Sequence, residues 1–201
     1  MQYLVFIGVA ISLGSAIPYI LETIRGNVQP NRVTWLLWSF GPLVGAIAAF
    51  STGITWSALP VFMGGFTPLL VLAASFVNRK AQWKLGRFDY VCGAFSILVL
   101  VVWYLTKDPN WAIALSILSD ALAAAPTFIK AWKYPESEHV STYFGGIFTP
   151  MTSFFAMKTW NFASLAFPIY LILVSLAIVF AIQHKKFLRK KYQNNLEAGR
   201  K

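Results

Sequence analysis

An aspartate inside a long apolar run is the residue in this chain whose type most invites chemistry. Asp120 stands about nine residues into the stretch Trp111–Trp132. If that stretch lies in hydrocarbon, a charge near its centre costs at least ~2.5–3.5 kcal/mol, so the side chain must face protein or water. Ser116, Asp120, Ala123 and Thr127 follow at spacings of four, three and four, which puts them on one helix face. Gly8, Ser12, Ser15 and Tyr19 occupy the same spacing 108 positions earlier. Two such stripes either converge on a polar cavity or let helices approach closely. In a cavity, Asp120 is suited to bind a cationic or hydroxyl-bearing solute, or to carry a coupling proton. In a packing role it hydrogen-bonds a neighbouring helix. The apolar runs offer it no buried Lys, Arg or central His as a partner.

Aromatic residues form a second set. Trp35 and Trp38 are three apart, and Tyr143 falls on Trp35 under the same 108-residue shift. They read either as an interfacial belt or as a wall on which a planar or sugar-like solute stacks. Trp56, Trp111 and Trp160 sit at the opposite ends of their runs and read as interfacial anchors. Gly64-Gly65 admits a close helix contact or exposes backbone to a ligand. Glu22, three residues before Arg25, is placed for a surface ion pair. No catalytic constellation emerges: the two histidines, His139 and His184, lie in polar segments, and metal-ligand spacings, nucleophile elbows and phosphate loops are missing from the sequence. No enzyme activity, metal or cofactor is expected.

The elements that must position these residues follow from composition. Of 201 residues, 57% are hydrophobic and 12% charged, and the mean hydropathy is +0.60. Soluble domains carry about 25% charged residues, so a water-soluble enzyme is excluded, as is a disordered chain. The single cysteine, Cys92, excludes an intramolecular disulfide framework. Seven runs approach the ~20 apolar residues a spanning helix needs: Tyr3–Ile24, Val33–Thr52, Trp56–Val77, Tyr90–Thr106, Trp111–Trp132, Thr142–Met157 and Phe162–Gln183. Lipid offers the backbone no hydrogen-bond partner, so helices are expected. The first run is longer than a signal-peptide core and reads as a retained helix.

The net charge of +10 also fits a membrane. With the N-terminus outside and the C-terminus inside, fifteen of the seventeen Lys and Arg residues fall in inside segments, leaving Lys107 and Lys158 outside. The positive-inside rule favours that topology and removes the need for a nucleic-acid partner. Residues 184–201 form a basic cytoplasmic tail that is also compatible with anionic lipid.

The 108-residue shift superposes Pro18 on Pro126, Pro42 on Pro150 and Pro60 on Pro168. Proline inside a helix costs about 3 kcal/mol or more in water, so three ungapped matches imply an internal repeat. The expected domains are a first three-helix unit over 3–77, a linker with one inversion helix over 78–110, and a second three-helix unit over 111–183. One crossing between two triplets makes them parallel repeats about an axis along the membrane normal. The expected fold is thus an all-α membrane protein of seven transmembrane helices in a 3+1+3 plan. Each proline is either a hinge or a static kink.

That plan resembles the SWEET and PQ-loop superfamily. Ile17-Pro18-Tyr19-Ile20-Leu21-Glu22-Thr23-Ile24-Arg25-Gly26, followed by Val33-Thr34-Trp35, looks like the family's first-helix proline, basic turn and second-helix start. Ala125-Pro126-Thr127-Phe128-Ile129-Lys130-Ala131-Trp132-Lys133, followed by Ser141-Thr142-Tyr143, looks like its second copy. The family's Pro-Gln dipeptide is here Pro18-Tyr19 and Pro126-Thr127. The asparagine that sugar carriers place after the third-helix proline is absent from Pro60–Gly65 and Pro168–Leu173. The resemblance, which extends distantly to nicotinamide riboside transporters, implies alternating-access movement of a small polar solute across the bacterial plasma (inner) membrane rather than sugar as the cargo. The polar stripes and the aromatic set supply the candidate solute site: Asp120, Ser12, Ser116, Tyr19, Thr127, Trp35 and Tyr143. Pro18, Pro126, Pro42 and Pro150 are then the hinges. A non-transporting receptor or scaffold on the same fold is the competing expectation, and assembly into a homo-oligomer fits either.

Overall fold

A computed structural model describes residues 3–51, 59–106, 109–156 and 160–198. Seven helices occupy them: α1 (Tyr3–Arg25), α2 (Arg32–Ser51), α3 (Leu59–Ala74), α4 (Arg87–Thr106), α5 (Pro109–Lys133), α6 (Ser141–Ala156) and α7 (Phe162–Ala198). Short 3-10 turns at Arg79–Ala81 and Pro135–Ser137 sit in the connections, and no strand occurs among the described residues. The protein is all-helical. Three stretches, Phe6–Arg25, Ile113–Lys133 and Leu165–His184, are long and apolar enough to cross a membrane, and Phe62–Ala74 is a shorter apolar one. The chain thus has the makings of an integral membrane protein. Trp56, Lys107 and Lys158 lie outside the described residues.

Local chemistry sets the boundaries. α1 ends at Gly26, whose φ of +82° is the left-handed conformation glycine adopts without strain. There Gly26 N–H donates to Thr23 O and Asn27 N–H to Glu22 O, closing the helix in a Schellman turn. Asn31 caps α2 by accepting from the N–H groups of Val33 and Thr34, while its amide donates to Asp89 Oδ1 at 2.6 Å. Asp89 Oδ2 accepts from Gly86 N–H at the start of α4, so one buried pair ties the first turns of α2 and α4. α5 begins at Pro109, where the missing N–H costs nothing. One boundary departs from expectation. The basic tail is helical as far as Ala198, continuous with α7, because the Lys-, Arg- and Leu-rich segment holds strong helix formers and no Gly or Pro before Gly199.

In backbone contact, α1 lies against α3 and α6, while α2 lies against α3, α5 and α4. α5 lies against α4, α7 and α2, and α6 against α7 and α1. The order within each triplet is therefore α1–α3–α2 and α5–α7–α6, with the triplets meeting along two seams, α1–α6 and α2–α5. The α1–α6 seam is tight. A Cβ on Gly145 would come 1.9 Å from Ser15 Oγ, and one on Gly8 would come 3.3 Å from Thr152 Oγ1. Gly65 is also pressed, its would-be Cβ lying 2.7 Å from the Ser39 carbonyl, so it serves α2–α3 packing, while a Cβ on its neighbour Gly64 would meet only Pro42 Cβ, at an ordinary 3.9 Å.

Polarity is distributed as lipid requires. Phe95, Leu98, Val101, Leu173, Leu176 and Phe180 are exposed on the perimeter, while Thr34, Ser96, Ser119, Thr127, Lys130 and Glu138 are buried. Helices in lipid gain little from hiding apolar side chains and instead associate through close packing and interhelical hydrogen bonds. Ser96 and Ser119 illustrate this: each donates to the other's carbonyl, at 2.9 and 3.0 Å, and so joins α4 to α5.

Candidate functional site

Among the described residues, most of the buried polar side chains gather at the end of the bundle that carries Arg25, Arg32, Lys133 and the α1–α2 and α5–α6 connections. Glu138, in the α5–α6 connection, is at the centre. Its Oε2 accepts from Tyr19 of α1 at 2.6 Å and from Tyr143 of α6 at 2.9 Å. Lys130 Nζ of α5 sits 2.5 Å from the other oxygen, Oε1, which takes no conventional hydrogen bond. Lys130 also donates to the Gln29 carbonyl and lies over the Trp83 ring, 5.2 Å from its centroid. Both charged residues are deeply buried, Lys130 at 2% exposure and Glu138 at 6%. A buried ion pair persists only when both partners are also hydrogen-bonded. Two phenols and one carbonyl supply those bonds here.

The aromatic residues close around this pair. Tyr19 and Trp35 are 5.1 Å apart between ring centroids, Tyr19 meets Tyr143 edge-on at 6.3 Å, and Trp35 meets Trp38 edge-on at 5.4 Å. Trp35 is 2% exposed, which removes it from any lipid-facing belt. Beside it, Thr127 Oγ1 donates to Thr34 Oγ1 at 2.9 Å, and Thr34 Oγ1 donates to the Ala123 carbonyl at 2.7 Å. Gln29 N–H donates to the Ser137 carbonyl at 2.9 Å. Apart from those within 130–143 and the Lys130–Trp83 contact, each of these polar contacts joins a residue in 3–77 to one in 111–183.

A second cluster lies one turn further along the α2–α5 seam. Asp120 Oδ2 accepts from Tyr170 of α7 at 2.6 Å. The Trp38 indole N–H of α2 is directed at the same carboxyl.

The structure therefore divides the residues singled out from sequence. It brings Tyr19, Trp35 and Tyr143 together, with Thr127 adjacent. Asp120 is half-buried and adjoins them through Trp38, which meets Trp35 edge-on. Ser12 lies 3.5 Å from Thr67 of α3, and Ser116 is half-buried on α5. Pro18, Pro42, Pro126 and Pro150 all stand inside their helices, where each frees the carbonyl four residues earlier. Glu22 pairs with Arg25 at 2.6 Å. Trp111 and Trp160 are exposed at helix ends.

One expectation is corrected. A buried lysine does exist: Lys130 turns inward, although its partner is Glu138 and not Asp120. The polar stripe carried the signal, for Lys130 follows Thr127 by three and continues the face of Ser116, Asp120 and Ala123. Glu138 and Tyr170 carried no comparable local signal.

Comparison with protein-family models, with curated proteins and with solved structures finds no match.

Proposed function

We propose that this chain is a seven-span membrane transporter of a small polar solute, built as two parallel three-helix repeats of the SWEET and PQ-loop type and working by alternating access. The N-terminus lies outside and the basic face lies in the cytoplasm of a bacterial plasma membrane. The observation that carries the reading is the set of buried contacts at the basic end. Tyr19–Glu138, Lys130–Gln29, Thr127–Thr34, Thr34–Ala123 and Gln29–Ser137 all join one triplet to the other. A latch between two moving halves needs that pattern of contacts from one half to the other. The matched order of neighbours, α1–α3–α2 and α5–α7–α6, supports the repeat. The prolines within α1, α2, α5 and α6 supply points where those helices bend.

In this reading the basic-side gate is closed in the present conformation, and opening it separates Lys130 and Glu138 into cytoplasmic water. The test is a double substitution, Gln29→Cys with Ser137→Cys in a Cys92→Ser background. The 2.9 Å backbone contact puts the two Cα atoms within disulfide reach. Oxidation should stop solute uptake into proteoliposomes and reduction should restore it. Cysteines placed at the two termini should label from opposite sides of the vesicle. Uptake that proceeds unchanged through the cross-linked protein refutes the gate, and same-side labelling refutes the topology.

A further inference from the structure

A groove runs along α7 where it meets the end of α5. Leu176, Val179, Phe180, Gln183 and His184 line it, and its volume is about 340 Å³. Spacings of three and four put these residues on one helix face. Trp132 of α5 forms the edge. Its indole lies flat on the His184 imidazole, with ring centroids 4.0 Å apart and planes 8° from parallel, and it is 6.0 Å from the Phe180 ring. The two spanning-length stretches that contain these residues end at Lys133 and His184, so the stacked pair marks the membrane boundary on the basic side. Leu176 and Phe180 are exposed on the perimeter, so the groove opens sideways, away from the bundle interior.

The two ends of the groove differ in chemistry. The Leu176, Val179 and Phe180 part is apolar. Lipid chains meet any apolar helix face about equally well, so that part accepts a chain without choosing among lipids. The choice falls to the other end. There His184 Nδ1 donates to the Ala181 carbonyl at 2.6 Å, since a carbonyl only accepts. A neutral imidazole in that tautomer presents Nε2 as an acceptor, which suits a hydroxyl. Directly after His184 come Lys185, Lys186, Arg189, Lys190 and Lys191, with no acid before Glu197. The backbone of α7 continues to Ala198, and Lys190 and Lys191 follow Gln183 and His184 by seven, which is two turns along the same face. Five cations immediately beyond a spanning stretch attract anionic headgroups.

On the membrane placement proposed above, and independently of transport, we propose that this groove binds one anionic phospholipid with a hydroxyl-bearing headgroup. An acyl chain lies along Leu176, Val179 and Phe180, a headgroup hydroxyl donates to His184 Nε2, and the lysines on the same face hold the phosphate.

The experiment uses the full chain in a neutral detergent, read by thermal melting and by native mass spectrometry. The probes are dioleoyl phosphatidylglycerol, which is anionic with hydroxyls, dioleoyl phosphatidylmethanol, which is anionic without them, zwitterionic dioleoyl phosphatidylcholine, and glycerophosphoglycerol, a headgroup without chains. Phosphatidylglycerol should bind as one copy per chain and raise the melting temperature saturably. Phosphatidylmethanol should do the same more weakly, and the other two should do neither. Lys190→Gln with Lys191→Gln should weaken both anionic lipids by about tenfold or more. Leu176→Trp fills the groove at an exposed position without altering a charge, and should weaken both as much. His184→Phe keeps a ring on Trp132 but removes the acceptor; it should weaken phosphatidylglycerol by about fivefold, the worth of one hydrogen bond, and spare phosphatidylmethanol. Equal protection by phosphatidylcholine overturns the charge selection, and equal protection by glycerophosphoglycerol overturns a lipid as the occupant. Anionic-lipid binding that survives Leu176→Trp belongs to the tail alone and overturns the groove. A His184→Phe variant that treats the two anionic lipids alike overturns the role of the imidazole. Protection by none of the four, in a chain that needs detergent to stay dispersed, overturns the site and leaves the membrane reading standing, whereas a chain that stays dispersed in plain buffer overturns the membrane reading.

Discussion

Removing one half of the Lys130–Glu138 pair should unlatch the basic face. In Lys130→Met the aliphatic stem is kept and the charge is lost. Glu138 then retains the Tyr19 and Tyr143 phenols at 2.6 and 2.9 Å but has no countercharge at 6% exposure. Breaking a buried pair from one side costs about 3–5 kcal/mol. Because both phenols remain, about 3 kcal/mol is the reasonable figure, which shifts a two-state equilibrium by about a hundredfold. Opening is read with an impermeant maleimide and a Ser137→Cys reporter in a Cys92→Ser background. Ser137 is 7% exposed, so labelling should be slow in the parent and about a hundredfold faster in Lys130→Met. Adding Glu138→Gln removes the stranded charge and leaves an amide that still accepts from the phenols. This double variant should recover at least half of the logarithmic change. If Lys130→Met labels at the parental rate, or if the two substitutions simply add, the ion pair is not the latch.

Two further substitutions test the packing that positions the site. Gly145→Ala drives a methyl against Ser15 Oγ and should destabilise the protein by about 1–3 kcal/mol in thermal melting, with Ser15→Gly restoring most of the loss; a neutral Gly145→Ala would mean the α1–α6 seam is looser than described. Asn31→Ala removes the α2 cap and leaves Asp89 with the Gly86 N–H alone, so a loss of about 1–3 kcal/mol is expected. Asn31→Ser, which caps but cannot reach Asp89, should fall between the two, and equality with the parent would dismiss the Asn31–Asp89 bond.

The helices were legible because their signals are local. Apolar runs of spanning length, Pro and Gly at the boundaries, and capping residues such as Asn31 act within a few positions of chain. Asp120 also announced itself, as a charge in an apolar run. Lys130 was half-legible: it continues the polar face of α5, yet a lysine eight residues from Glu138 in a turn-rich segment reads equally well as solvated. Tyr170 was illegible, being one tyrosine among eight until α7 folds against α5.

The amino-acid order by itself determined an apolar, helical chain with basic connections and proline-marked helices, because hydropathy, propensity and capping depend on near neighbours. Only the tertiary structure decided that Glu138 meets Tyr19 across 119 residues, or that Asp120 meets Tyr170 across 50. Those partners depend on which helix faces which, and that choice is made by close contacts such as Gly145 on Ser15, whose energy exists only once the helices have packed.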